Sequence, residues 1–138
     1  METTYTDKVL GELIYKRAWI GANSVTWNSS VIPIKVKVKA ANGQMPSDFQ
    51  RQSFKRFTDP TTLQICKEKL LDYCKKIYDA RLDDNTSDFE EYITPKTVIL
   101  AQNEYWGVLF KCKWESEILL AVKFNESTID VGVDDILL

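Results

Sequence analysis

Between Ile32 and Lys39, apolar and polar residues alternate: Ile32, Ile34, Val36 and Val38 against Pro33, Lys35, Lys37 and Lys39. A period of two belongs to a strand, whose successive side chains leave opposite faces of a sheet. One face is therefore aliphatic and the other carries a row of lysines. Pro33 has no N–H for a ladder bond, so it belongs near the strand's start or on an edge. Leu13-Ile14-Tyr15 and Ser24-Val25-Thr26-Trp27 are shorter β-rich runs bounded by Gly, Asn and Ser. Residues 1–43 read as an antiparallel meander, broken at Ala41-Asn42-Gly43-Gln44.

The period then becomes that of a helix. Ser47, followed three residues later by Gln50, fits a capping box, in which each side chain satisfies a free backbone N–H of the other's residue. It opens a short helix through Phe49, Phe54 and Phe57. Asp59-Pro60 restarts the helix as an N-cap with proline in the first helical position. Leu63, Cys66, Leu70, Tyr73, Cys74 and Ile77 recur at spacings of three and four, an apolar stripe that predicts a long helix to about Arg81. Lys67, Lys69, Asp72, Lys75, Lys76 and Asp79 fall on its wet side. Asp83-Asp84-Asn85-Thr86-Ser87-Asp88 has the composition of a polar turn.

Beyond Pro95 the period of two returns. Val98-Ile99-Leu100 comes first. Trp106, Val108, Phe110, Cys112 and Trp114 then alternate with Gly107, Leu109, Lys111 and Lys113, and Ile118, Leu120, Val122 and Phe124 follow. Asn125-Glu126-Ser127 turns into Ile129, Val131 and Val133. Strands, then helices, then strands, without βαβ alternation, predict an α+β fold. The expected architecture is an antiparallel sheet of about six strands with two helices, one short and one long, packed on one face. Residues 1–138 fall within the size of a single domain. The predicted core is Ile34, Val36, Val38, Leu70, Cys74, Phe110, Cys112, Leu120 and Val122.

Charge changes this picture by position. Residues 1–81 hold fourteen Lys/Arg against eight Asp/Glu, a formal +6; residues 82–138 hold four against twelve, a formal −8. Folding requires no such asymmetry, so an acidic face for a basic partner becomes a candidate. The chain has no histidine, which removes Ser-His and Cys-His nucleophile activation and nearly all mixed Cys/His zinc sites. Its five glycines are dispersed and form no phosphate-binding loop. Cys66, Cys74 and Cys112 lack a C-x-x-C pair. Cys66 and Cys74 on one helix stand about 12 Å apart at 1.5 Å per residue, too far to bridge. They read as small core hydrophobes of a reducing compartment. No basic-then-apolar leader opens the chain and no run is long enough to span a bilayer, so the expectation is a cytoplasmic protein. No cofactor and no metal are expected.

The candidate site is the turn around Trp114, Glu115 and Glu117, with Asp134 and Asp135 as a further acidic pair. Two carboxylates beside a large aromatic suit a basic protein partner, because Trp is enriched at interface hot spots. The bland alternative is a solvated hairpin turn. Glu90 and Glu91 with Asp83, Asp84 and Asp88 form a second acidic group, in which the Asp83-x-Asn85-x-x-Asp88 pattern faintly resembles a calcium loop but lacks its glycine and distal glutamate, and a solvated loop is the commoner reading. Lys35, Lys37 and Lys39 read either as phosphate contacts or, more commonly, as protection of a strand edge. The calculated pI near 5.2 and the lack of interleaved exposed aromatics argue against nucleic acid.

Several short stretches resemble a bacterial family of domains of about this length and of unknown function. They are Gly11-Glu12-Leu13, Gln52 to Phe57, Cys112-Lys113-Trp114-Glu115-Ser116-Glu117 with Val122-Lys123-Phe124, and Val131-Gly132-Val133-Asp134-Asp135. Glu115 departs from the family's Asp, and Leu119 from its Gly. Such domains are similar in kind to the immunity proteins encoded beside bacterial antagonistic toxins. The resemblance implies a non-catalytic protein-binding domain, an immunity protein holding a basic toxin domain through its acidic half, with no nucleic-acid or membrane partner. The alternative is a carboxylate-dependent hydrolase with Glu115 and Glu117 as acid and base, or a small-ligand-binding protein.

Overall fold

The computed structural model describes residues 3–27, 29–40, 44–77, 92–101, 105–113 and 115–137. The chain opens with four strands, β1 (Thr3–Asp7), β2 (Gly11–Tyr15), β3 (Trp19–Trp27) and β4 (Ser30–Val38). Two helices follow, α1 (Asp48–Phe57) and α2 (Pro60–Ile77). Four more strands, β5 (Ile93–Leu100), β6 (Trp106–Cys112), β7 (Glu115–Phe124) and β8 (Ile129–Val133), lead into a 3-10 turn over Asp134–Leu137. All eight strands lie in one sheet, ordered β1 to β8 as they occur in the chain.

The α+β class and the two helices on one face are as expected; the strand count and the pairing are not. The sheet has eight strands rather than about six. The unforeseen β1, Thr-Thr-Tyr-Thr-Asp, has no apolar alternation to betray it, yet it pairs with β2 from Thr3↔Tyr15 to Asp7↔Gly11. The sheet is also not wholly antiparallel, because β4 and β5 run parallel, from Lys35↔Thr97 to Val38↔Leu100. A parallel neighbour cannot be reached by a tight turn, so α1 and α2 form the crossover. Pro33 sits opposite Ser24 of β3, in the part of β4 that β5 does not yet flank. Its missing donor leaves no gap there.

The helix signals act as predicted. Ser47 Oγ accepts from the Gln50 N–H at 3.2 Å, and Gln50 Oε1 accepts from the Ser47 N–H at 2.9 Å. Asp59 Oδ1 accepts from the Thr61 N–H at 2.8 Å, capping α2. Gln50 does more than cap, since its amide, itself buried, donates to the carbonyls of Lys39 (2.8 Å) and Leu100 (3.1 Å) where β4 and β5 end. One stripe residue departs from its expected place: Ile77 is 58% exposed, while Leu71 is buried. The continuation of α2 towards Arg81 lies outside the described residues.

The main core fills the space between the helices and the inner face of the sheet. Leu63, Cys66, Leu70 and Cys74 of α2 and Phe54 and Phe57 of α1 meet Val36, Val98, Phe110 and Val122 of the sheet. All nine residues predicted for the core are at most 2% exposed. Trp27 spans the two sheet halves: its Nε1 donates to the Ile93 carbonyl at 3.0 Å and its ring packs 5.7 Å from Phe110. On the outer face a smaller cluster of Ile99, Leu109, Ala121 and Leu137 forms where the 3-10 turn folds back over β5 to β7. Among the described residues, no helix is long and apolar enough to cross a membrane.

Truncating Leu70 or Phe110 to Ala is expected to cost about 2–5 kcal/mol, mostly through the cavity left behind. Denaturant midpoints check this, and a midpoint unmoved in either variant contradicts the packing described.

Candidate functional site

The interior holds the charged and sulfur groups with the most perturbed surroundings. Asp7 is buried at the end of β1. Its Oδ1 accepts from the N–H groups of Val9 (2.8 Å) and Leu10 (3.0 Å), which shapes the turn into β2. Its Oδ2 accepts from Arg51 Nε of α1 at 2.7 Å, and Arg51 also reaches Asp48. Burial alone raises the Asp7 pKa, but the Leu10 and Val9 donors and the guanidinium outweigh it and hold the carboxyl below its ordinary value. This anchor was missed in the sequence, where nothing links residue 7 to residue 51.

Cys66, Cys74 and Cys112 are all free and buried. Burial pushes the Cys66 thiol up to about 12. Cys74 is raised by its hydrogen bond to Cys112 and by desolvation, so the contact that matters joins α2 to β6 rather than Cys66 to Cys74. A protonated, enclosed thiol is a poor nucleophile. Among the described residues, no three His, Cys, Asp or Glu side chains gather as a metal site.

The predicted acidic residues fall in two places, Glu115 and Glu117 on β7 and Asp134 and Asp135 in the 3-10 segment that follows its neighbour β8. Glu115 opens β7 opposite Cys112, and Glu117, on the same strand, is exposed. Because Leu120 pairs with Val133, the chain leaves β8 beside the beginning of β7, and Asp134 and Asp135 form the first turn of the 3-10 segment. Asp135 is exposed and Asp134 half-buried. Trp114 lies outside the described residues, as do Asp83, Asn85, Asp88, Glu90 and Glu91. The 3-10 segment is locked down by Leu137. A Cβ on Gly107 would lie 2.7 Å from the Val122 carbonyl oxygen and 2.8 Å from Leu137 Cδ1, so only glycine leaves room for that side chain. Lys39 Nζ donates to the Leu137 carbonyl (2.8 Å) and to Tyr105 Oη (2.7 Å). The Tyr105 ring carries Lys123 Nζ at 4.3 Å and Lys39 Nζ at 5.1 Å from its centroid.

The lysine row does not guard an edge. β4 is interior, flanked by β3 and β5, so Lys35, Lys37 and Lys39 stand on the sheet's outer face. Two grooves cross that face, the first of them reaching Lys39, which bonds the 3-10 segment. One, of about 730 Å³, is lined by Lys16, Arg17, Lys35, Lys37 and Lys39 with Ile20 at its floor. The other, of about 760 Å³, shares Ile20 and Lys35 and runs over Ile14, Ala22 and Pro33 to Lys96 and Glu12. A third, of about 650 Å³, lies between Val31 of β4 and Pro60, Leu63 and Lys67 of α2.

A family model matches residues 9–138, nearly the whole chain. The chain belongs to the DUF6985 family. That family is described as a domain of unknown function, and its span takes in every strand but β1. No curated protein and no solved structure matches the chain.

Asp7→Asn keeps an acceptor for the turn but sets an amide against Arg51, and is expected to cost about 2–3 kcal/mol at neutral pH. A depressed carboxylate stabilises fully above its unfolded pKa of about 3.9 and loses that contribution as pH falls through the folded value. The gap between wild type and variant should therefore narrow below about pH 4. Urea unfolding at pH 7 and pH 3 checks this, and an equal gap at both would remove the carboxylate's role. In the folded state all three thiols should resist a disulfide reagent that labels them promptly in denaturant; prompt labelling of the native protein would contradict their burial.

Proposed function

We propose that this DUF6985 chain is a non-catalytic protein-binding domain, specifically an immunity protein that neutralises a cognate bacterial toxin. The observation that carries the reading is the strand order. Because β1 to β8 lie side by side in chain order, the six carboxylates between Glu115 and Asp135, against the single cation Lys123, fall on the β7–β8 side of the sheet, away from the lysines of β4. The helices and β1 to β4 belong to the basic part of the chain. Glu117, Glu126, Asp130, Asp134 and Asp135 lie on β7, β8, the turn between them and the 3-10 segment. A nuclease toxin must be basic to hold nucleic acid, so an acidic corner is its physical counterpart. Such complementarity speeds association and excludes wrong partners. A hydrolase using Glu115 and Glu117 needs a concave site around the pair. The three grooves above are lined by other residues.

Co-expression with the toxin encoded beside this gene tests the reading. The parent chain should protect cells, and a variant carrying Glu117→Lys and Asp135→Lys should lose protection while keeping its thermal midpoint, since both carboxylates are exposed and such groups add little stability. Raising salt should slow association with the toxin domain by roughly tenfold, with a smaller change in dissociation. Full protection by the charge-reversed variant would overturn the acidic corner as the binding surface.

A further inference from the structure

We propose that the outer face of β2 to β5 is a second binding surface, one that takes an acidic protein segment bearing apolar side chains. It is separate from the acidic corner and does not depend on the immunity reading. Lys16, Arg17, Lys35, Lys37 and Lys39 converge on the first groove, and no carboxylate lines it. Lys39 is committed to Tyr105 and Leu137, but among the described residues Arg17, Lys35 and Lys37 make no ion pair or side-chain hydrogen bond. Arg17, Lys35 and Lys37, like charges gathered on one groove, repel one another, and an anionic partner relieves that repulsion. Arg17 is set over the groove by a backbone with φ of 67°, a left-handed conformation rare for residues other than glycine.

The adjoining groove decides the kind of anion. Ile14, Ile20, Ala22 and Pro33 line it, so its floor is aliphatic. The register aligns this floor across the sheet, with Ile14 opposite Ile20, Ile20 opposite Lys37, and Ala22 opposite Lys35. A nucleic acid would need aromatic platforms for its bases, and the lining of both grooves holds none. Glu12 at the far rim would repel a continuous phosphate backbone. A segment with spaced carboxylates and aliphatic side chains satisfies both walls and floor. β4 is interior, so such a segment docks through its side chains and not by adding a strand.

Nuclear magnetic resonance titration of the full chain tests this with four probes: an alternating Glu/Leu peptide, its Glu/Ser and Lys/Leu counterparts, and a short oligothymidylate. The Glu/Leu peptide should bind most tightly, moving amide signals of residues 16–22 and 33–39. The double variant Lys35→Glu and Lys37→Glu should weaken it by about tenfold or more with the rest of the spectrum unchanged. Ile20→Ser should erase the preference for Glu/Leu over Glu/Ser. Tighter binding of the oligonucleotide would make the face a polyanion site and overturn the proposal. So would equal binding of the Lys/Leu peptide, indifference to the lysine reversals, or salt-sensitive self-association showing that a second copy covers the face. The acidic-corner variant should bind the Glu/Leu peptide like the parent, which keeps failure of this proposal distinct from failure of the toxin reading.

Discussion

The side-chain amide of Gln50 holds the one joint of the sheet that local chain connectivity cannot. Every other strand pair is closed by a short turn, but β4 and β5 are brought together across the two helices. Gln50 Oε1 fixes the start of α1, and its Nε2 bridges the carbonyls of Lys39 and Leu100, one at the end of each strand. A buried amide is costly unless its donors and acceptor are met, and here both ends of the group are used. The next residue, Arg51, fastens the same helix to the β1–β2 turn through Asp7. One turn of α1 thus ties together the edge, the centre and the crossover of the fold.

What was legible in the sequence follows from what periodicity encodes. Alternation placed Ile34, Val36 and Val38 inside, and the three-four stripe placed Leu70 and Cys74 against them, because each element's inner face is written in its own residues. The capping box and Asp59-Pro60 were readable for the same reason. Pairing partners are not written locally. Lys35 to Lys39 looks the same on an edge as in the middle of a sheet, and only the parallel approach of β5 decides it. β1 was invisible because its inward groups include Asp7, whose burial depends on Arg51. The Cys74–Cys112 contact and the seating of Leu137 over Gly107 depend on register, which a one-residue slip would invert.

The outer face is divided by a single latch. Leu137 sits over Gly107, and Lys39, bonded to Tyr105 and to the Leu137 carbonyl, stands between the 3-10 segment and the lysine-lined trough. The 3-10 segment carries Asp134 and Asp135, and the trough carries Arg17, Lys35 and Lys37. Tyr105 serves both lysines differently, accepting from Lys39 Nζ at its hydroxyl and offering its ring to Lys123 Nζ at 4.3 Å from the centroid.

Strand order equal to chain order also arranges folding in time. β1 to β4 and β5 to β8 are two meanders whose pairings join near neighbours in sequence, and hairpins of this kind close within about 1–10 μs. The seam from Lys35↔Thr97 to Val38↔Leu100 spans both helices, so its loop-closure entropy must be met before its contacts form. On this topology the two half-sheets, each with an unpaired central edge, would form before the seam between them closes. Until α1 settles and the seam shuts, β4 and β5 present open backbone to other chains, and misassembly during synthesis would begin there.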